Sequence, residues 1–272
     1  MDYAQLRSNI TRSSPQRLRS GRTLQRAFII LIAVIVAAAG GHASAQSDCK
    51  LPALGTAEVA AVRDGRTLTL RDGRELRLAA IEAPGDATAL QALAAGKVVR
   101  MEKLGADRDR HGRLVALAFA GDAAQSLQQL LLAQGAALVS ARIGDKPCAA
   151  MLLAAEKEAR AAQRGLWADP NFAPLPADDL ARLEAKIGHF ALVEGKVLSV
   201  HASGSTIYLN FGYRWTRDFS VTIAKRSQTR FAAGGLEPRA LKGRRVRVRG
   251  WIDRRGGPVI EADGPEQIEL ID

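Results

Sequence analysis

Cysteine is the rarest residue of this chain: only Cys49 and Cys148 occur among 272 residues. Two cysteines without a histidine at ligand spacing exclude a zinc site of the usual kind. Long apolar runs are also missing. The longest, residues 27–39, is shorter than the ~20 residues that comfortably span a bilayer. Repeats and low-complexity stretches are not evident, and 47% apolar with 25% charged residues argues against a wholly disordered chain.

The first 45 residues have the pattern of an export signal. Arg19, Arg22 and Arg26 precede the apolar run, and the small residues at 43–45 predict cleavage before Gln46. The alternative is an uncleaved membrane anchor, which the long segment ahead of the run favours. In both cases we expect the folded part outside the cytoplasm: periplasmic or secreted after cleavage, and held at the membrane only if the leader is uncleaved.

The two cysteines are expected to form a disulfide. Both lie after the predicted leader, and an even number of cysteines in an exported protein favours pairing. The alternative is two unrelated buried thiols, which an oxidising compartment disfavours. The sequence therefore predicts a Cys49–Cys148 bond.

The net charge of +11 is unevenly distributed along the chain. Residues 1–45 carry +5, residues 46–185 are neutral, and residues 186–272 carry +6. The leader's charge serves export, so only the C-terminal excess bears on polyanionic partners such as nucleic acid.

Turn signals and apolar periodicity divide the folded part into two domains. Residues 57–83 alternate as three short strands with a turn at Asp72-Gly73, and further strands and helices follow up to a closing helix over 147–164. A proline-rich stretch then predicts a linker. The predicted boundaries are 1–45 for the export signal, 46–169 for the first domain, 170–185 for the linker and 186–272 for the second domain.

The second domain reads as a small all-β unit. Five short strands in under 90 residues suggest a Greek-key barrel of the OB type, with a β-sandwich as the alternative. The predicted strands are 190–200, 205–211, 219–224, 244–251 and 259–262.

Five ordered segments between residues 57 and 169 resemble the motifs of the thermonuclease (staphylococcal-nuclease-like) family. They are VRDGRTLTL at 62–70, LRLAAIEAP at 76–84, DRHGR at 109–113, LLAQGAALV at 131–139, and the helix 155–167 ending in GLW. The resemblance implies a fold that is mainly β with helices: an OB-type β-barrel with packed helices, followed here by the small OB-like domain.

Members of that family hydrolyse phosphodiester bonds in DNA and RNA with calcium. By the resemblance, Arg77 and Arg113 match the two arginines that clamp the phosphate, whose charge grows in the transition state. Glu82 stands where the family has a calcium-binding aspartate, so the carboxylate persists one methylene longer. Ala83 replaces a threonine that contributes only its backbone carbonyl.

Two departures from the family pattern affect the acidic positions. Arg66 replaces the other calcium-binding aspartate, and Gly85 replaces the glutamate proposed to act on water; Asp86 follows one residue late. A cation at Arg66 would repel calcium, and Gly85 has no acid–base group.

The resemblance therefore predicts nucleic-acid binding with weak or lost hydrolysis, possible but doubtful calcium, and no small-molecule cofactor. Three alternatives stay open: a calcium-dependent nuclease acting through Arg77, Arg113 and Glu82, a non-catalytic nucleic-acid-binding module, and an envelope protein-interaction module.

A basic strand gives the second domain its own signal. Arginines alternate with valines over 244–249, which places Arg245, Arg247 and Arg249 on one face. Tyr208 and Trp215 lie in the preceding hairpin. Arginines and aromatics on an OB-like barrel suit single-stranded DNA or RNA, whereas the alternative is a solvated strand face with core aromatics.

Overall fold

The computed structural model describes residues 49–271, so the predicted export signal lies outside the described residues. Within this range two β-sheets with separate apolar cores pack side by side in one compact unit. None of the helices over 49–271 is long and apolar enough to cross a membrane.

The first sheet is a closed five-stranded barrel with strand order β1-β2-β3-β6-β5. All its pairings are antiparallel except that of β3 with β6, where Arg77 lies opposite Val115. Leu68, Leu76 and Met101 point inward, as period-2 alternation predicts, and are almost fully buried. The strands are β1 (Ala53–Asp64), β2 (Thr67–Leu70), β3 (Glu75–Leu78), β5 (Val98–Arg108) and β6 (Leu114–Ala120).

Three helices and a two-stranded ribbon pack on the barrel. Ser126 and Gln129 form a capping box at the start of α2, and Asp145 caps α3 by accepting from the backbone N–H of Cys148 at 2.9 Å. The elements are β4 (Ile81–Glu82), α1 (Thr88–Ala94), α2 (Leu127–Ala133), β7 (Leu138–Val139) and α3 (Lys146–Ala161), with β4 pairing β7.

The second sheet has strand order β10-β11-β12-β14-β13-β9-β8, with β15 also paired to β13. Its elements are β8 (Leu175–Pro176), α4 (Leu180–Ala185), β9 (Phe190–Lys196), β10 (Ser199–Ser203), β11 (Thr206–Asn210), β12 (Ser220–Ala224), α5 (Gln228–Ala233), β13 (Arg245–Arg255), β14 (Gly257–Ala262) and β15 (Ile268–Leu270).

Both sheets share one connectivity when β9 and β10, which only residues 197 and 198 separate, are counted as a single strand. In each sheet the first strand pairs antiparallel with the second and the fourth, and the third runs parallel to the fifth. A helix, α1 or α5, connects the third strand to the fourth. This is the five-stranded Greek-key pattern of an OB-type barrel. The predicted fold class is confirmed: mainly β, with a closed barrel and a second curled sheet.

Residues 170–185 differ from the predicted linker. They contain β8, which pairs in parallel with β9, and α4, and the side chains of Leu175 and Leu183 are buried in the second core. Proline-rich composition marked the loops at 170–174 but could not show that these leucines reach a core. The second domain also holds the short helix α5, so it is not purely β.

The alternating pattern led us to expect that the basic face of β13 points to solvent, but most of this face is covered. Arg245 is exposed, Arg247 is mostly covered, and only 1% of Arg249 is accessible. Period-2 alternation correctly placed the three arginines on one side of the strand. The prediction of a solvated basic surface is wrong because α3 of the first domain and Glu269 of β15 cover that side.

A buried ion-pair network joins the two domains at this face. The two terminal guanidinium nitrogens of Arg249 donate to Glu156 of α3, at 3.0 and 2.7 Å, and one of them also donates to Glu269. Arg160 and Arg247 bond Glu269 as well. Burial by itself lowers the pKa of Arg249, but attraction and hydrogen bonds from the two glutamates raise it above its ordinary value. The arginine therefore stays charged inside the interface.

The disulfide between Cys49 and Cys148 is present, as predicted, with its Cα atoms 4.7 Å apart. It ties the segment before β1 to the first turn of α3, across a sequence separation of 99 residues. The bond therefore closes most of the first domain into one covalent loop.

Removing this bond is expected to destabilise the protein. Replacing both cysteines, Cys49→Ser with Cys148→Ser, should lower the free energy of unfolding by roughly 3–5 kcal/mol, because loop closure no longer restricts the unfolded chain. Urea denaturation with and without reductant measures this. Reductant should lower the wild type to the level of the variant and leave the variant unchanged; two free thiols in the mature wild type would contradict the assignment.

The ion-pair network yields a second stability prediction. Arg249→Ala leaves the Glu156 carboxylate buried without its main partner and should cost about 3–5 kcal/mol of unfolding free energy. Replacing both partners, Arg249→Met with Glu156→Leu, should cost much less, because no charge is left buried. Arg255→Ala, which breaks an exposed pair on the same strand, is the control and should cost under about 1 kcal/mol. Equal losses in the single and double variants would contradict this account.

Candidate functional site

A backbone reversal after β3 directs Glu82 into the space between the domains. The sequence predicted one strand over 75–81, but Ala80 has a φ of 62°, which is uncommon for a residue with a Cβ and breaks the strand after Leu78. The chain then continues as β4, whose Ile81 and Glu82 pair with Val139 and Leu138. The main chain of β7 thus holds the carboxylate in place.

Arg66 is bonded to the carboxylate that the resemblance assigned to calcium. Its guanidinium donates to the Glu82 carboxylate and, at 2.9 Å, to the carbonyl oxygen of Ile81. Both side chains are largely buried. The Glu82 carboxylate is therefore already paired with a cation of the protein itself.

Arg77 has no such partner. Its side chain makes no hydrogen bond or ion pair with any residue of the described range, although it projects from β3 into the cleft and is partly buried. Burial and repulsion from Arg66 lower the pKa of Arg77, Arg113 adds to the repulsion, and Glu82 and Asp109 only partly oppose these effects. A half-buried guanidinium in this state is stabilised by an incoming anion.

Arg113, the second predicted phosphate ligand, lies in the same cleft but is paired. Its Nε and a terminal nitrogen bond Asp109 at 2.8 and 2.6 Å. Burial raises the pKa of Asp109, but the hydrogen bonds from Arg113 and from the backbone of His111 hold it below its ordinary value. The structure thus brings Arg77, Arg113 and Glu82 together, and Asp109 orients one of the two arginines.

Gly85, at the position of the general base, has no acid–base side chain, and the neighbouring Asp86 does not replace it. Gly85 is exposed, and Asp86 accepts from the backbone N–H of Thr88 at 2.9 Å, which lowers the pKa of its carboxyl. Asp86 does not line the cleft. It acts as a turn-forming residue before α1 and is a poor proton acceptor.

The oxygen donors of the cleft do not fit calcium. Calcium takes six to eight oxygen ligands. Each carboxylate that lines the cleft already carries an arginine: Arg66 on Glu82, Arg113 on Asp109, and Arg142 on Asp263. Among residues 49–271 the only cluster with metal-ligand spacing is Cys49, Asp145 and Cys148, which is the disulfide beside a helix cap.

The cleft extends beyond the first barrel. It has a volume of about 930 Å³, and the second domain contributes Arg226, Arg230 and Asp263 to its wall. Arg142, just after β7, bonds Asp263 at 2.6 Å and so closes one end. Arg226 makes no ion pair within the described part of the chain. Seven arginines against three carboxylates make the cleft strongly positive.

Sequence reasoning missed Arg142, Arg226 and Arg230. A basic cluster is visible over 225–230, but local pattern could not place it opposite the first barrel. The residues chosen instead lie elsewhere. Tyr208 stacks on His201 with ring centroids 5.0 Å apart, and Trp215 is 70% exposed on the loop between β11 and β12. Neither lines the cleft, and the buried Arg249 is not accessible to a nucleic acid.

The match to a known family covers the part of the cleft that the first domain supplies, but not Arg66 or the second domain. The model of the family described as "Staphylococcal nuclease homologue" matches residues 76–169, from β3 to the 3-10 turn that contains Trp167. The second domain lies outside the match, as do β1 and β2. No curated protein gives a significant match to the chain.

Proposed function

We propose, from the match of residues 76–169 to the staphylococcal nuclease homologue family, that this protein binds single-stranded nucleic acid without calcium-dependent hydrolysis. The ligand is a phosphodiester held by Arg77, with Arg113 beside it. Hydrolysis is weak or absent because the residues that would bind the metal and act on water are replaced.

One observation carries the proposal: Arg66 is bonded to Glu82, while Arg77 has no hydrogen-bond or ion-pair partner among residues 49–271. The first half disfavours a metal, because calcium would have to displace a guanidinium that makes two hydrogen bonds. The second half favours an anion, because an unpaired and partly desolvated guanidinium gains a charge-assisted hydrogen bond on binding phosphate.

The chemistry follows from these groups. Arginines stabilise the negative charge of a bound phosphate but do not lower the pKa of a water molecule, as a metal ion does. Asp109 and Glu82 are engaged by arginines, and Asp86 is engaged by its own turn. The cleft can therefore hold a phosphodiester, but each of the three carboxylates that line it is already paired with an arginine.

The site of action is part of the proposal. The pattern over residues 1–45 and the Cys49–Cys148 disulfide both suit an oxidising compartment outside the cytoplasm. Single-stranded nucleic acid reaching the periplasm or the cell exterior is the ligand we propose.

Binding should depend on Arg77 and not on calcium. We expect labelled single-stranded DNA to bind equally well with calcium and with chelator, as measured by fluorescence anisotropy. Arg77→Gln should weaken binding and lower the log–log salt slope by about 0.7, the value for one phosphate contact on a single strand. The control Arg71→Gln removes an exposed arginine of the same barrel that does not line the cleft. An unchanged slope in Arg77→Gln would contradict the assignment.

Restoring the acidic positions should restore hydrolysis. The double change Arg66→Asp with Gly85→Glu frees Glu82, adds a second carboxylate and supplies a base. We expect measurable calcium binding by calorimetry and calcium-dependent cleavage at least about 100-fold above the wild type. Arg66→Gln alone is the control, because it removes the cation without adding a ligand. Robust calcium-dependent cleavage by the unmodified protein would overturn the proposal.

A further inference from the structure

Trp251 is the next residue after Arg249 on the same face of β13. Side chains two residues apart on one strand face lie ~6–7 Å apart. Arg249 bonds the carbonyl oxygen of Val139 at 3.1 Å, and Val139 pairs with Ile81 beside Glu82. The strand therefore carries Trp251 to the edge of the interface, next to the site, where 52% of the residue is exposed.

Glu82 lies where three cavities meet, and Trp251 forms part of the wall of two of them. One is an apolar cavity of about 330 Å³, where Phe172 and Phe190 line the wall and Arg66 and Lys186 are also present. The other, of about 420 Å³, is lined by two arginines, Arg142 and Arg255, and by four carboxylates, those of Glu82, Asp253, Glu261 and Asp263. Glu82 belongs to both and also to the cleft that contains Arg77.

The ring of Trp251 is held but not covered. Its aromatic neighbour is Phe190, which meets it edge-on at a centroid distance of 6.1 Å and an interplanar angle of 73°. An edge contact fixes the orientation of the indole and leaves a face available for stacking. A large exposed aromatic beside a positive cleft is the arrangement that binds a planar ring attached to an anion.

We propose that Trp251 stacks on a nucleobase, so that the second domain completes the site whose phosphate-binding part is Arg77. This inference rests on the proposed function and adds the base to it. The smaller cavity is within the size range of ligand pockets and shares the lining residue Glu82 with the cleft that holds Arg77. Because a base within a duplex is already stacked, the arrangement selects single strands.

The test compares two probes of equal length and charge on the full mature chain. One is an eight-nucleotide deoxythymidine strand and the other is an abasic strand of the same backbone, each followed by fluorescence anisotropy. Trp251→Ala should weaken binding of the deoxythymidine strand by roughly 5- to 150-fold and leave binding of the abasic strand unchanged. Trp251→Phe should retain most of the affinity.

Trp215→Ala is the matched control, because Trp215 is also exposed but does not line the three cavities around Glu82. It should change the affinity for either strand by less than about twofold, the scatter of near-neutral surface substitutions. A loss in Trp215→Ala with none in Trp251→Ala would overturn the inference and favour the aromatic that the sequence suggested.

Fluorescence provides an independent readout. In a Trp215→Phe background two tryptophans remain: Trp167, which is buried, and Trp251, which is exposed. Quenching by the deoxythymidine strand therefore reports on Trp251. Quenching by this strand and none by the abasic strand is the expected result.

The outcomes separate the two proposals. Arg77→Gln should weaken both strands, whereas Trp251→Ala should weaken only the strand with bases. An equal loss for both strands in Trp251→Ala would make Trp251 a structural residue and overturn the inference while the phosphate site stands. Stacking at Trp251 with no effect of Arg77→Gln would overturn the phosphate assignment instead. Failure of the wild type to bind either strand would overturn both.

Discussion

The ion pair between Arg249 and Glu156 determines how the two domains are arranged. Both side chains are essentially inaccessible to solvent, so neither charge is tolerated without the other. Glu156 lies on α3, the closing helix of the first domain, and Arg249 lies on β13 of the second domain. An apolar cluster of Leu138, Ala159, Trp167 and Leu192 packs beside the pair and excludes water. The domains therefore meet in one fixed orientation.

Hydrogen bonds to the main chain of β7 connect this ion pair to the functional site. Glu156 accepts from the N–H of Val139 at 2.7 Å, and Arg249 donates to its carbonyl oxygen at 3.1 Å. Val139 pairs with Ile81, whose carbonyl accepts from Arg66. Interface and site thus share one hydrogen-bonded path.

Local pattern predicted those features that depend on neighbours in sequence. The three short strands over 57–83 and the Asp72-Gly73 turn follow from periodicity and turn chemistry, whereas the ordered family motifs are identified by resemblance. The burial of Arg249 could not be predicted in this way, because alternation specifies the side of a strand but not what packs on it. For the same reason Trp251 remained unassigned, and the pairing of Arg66 with Glu82 was unforeseen although both had been singled out as matched positions.

The pairing of Arg66 with Glu82 explains what the second domain can add to this site. A guanidinium reproduces the positive charge of a metal ion, but it cannot coordinate several oxygens or activate water, so it supplies attraction without catalysis. Under the proposed function, affinity must come from contacts alone, and a single phosphate at Arg77 would contribute little. The second domain adds Arg226 and Arg230 to the wall of the cleft and Trp251 beside Glu82. Because Arg249 is buried against Glu156 of α3, the second domain is held against the first, and contacts that are pre-organised in this way require little ordering when a ligand binds.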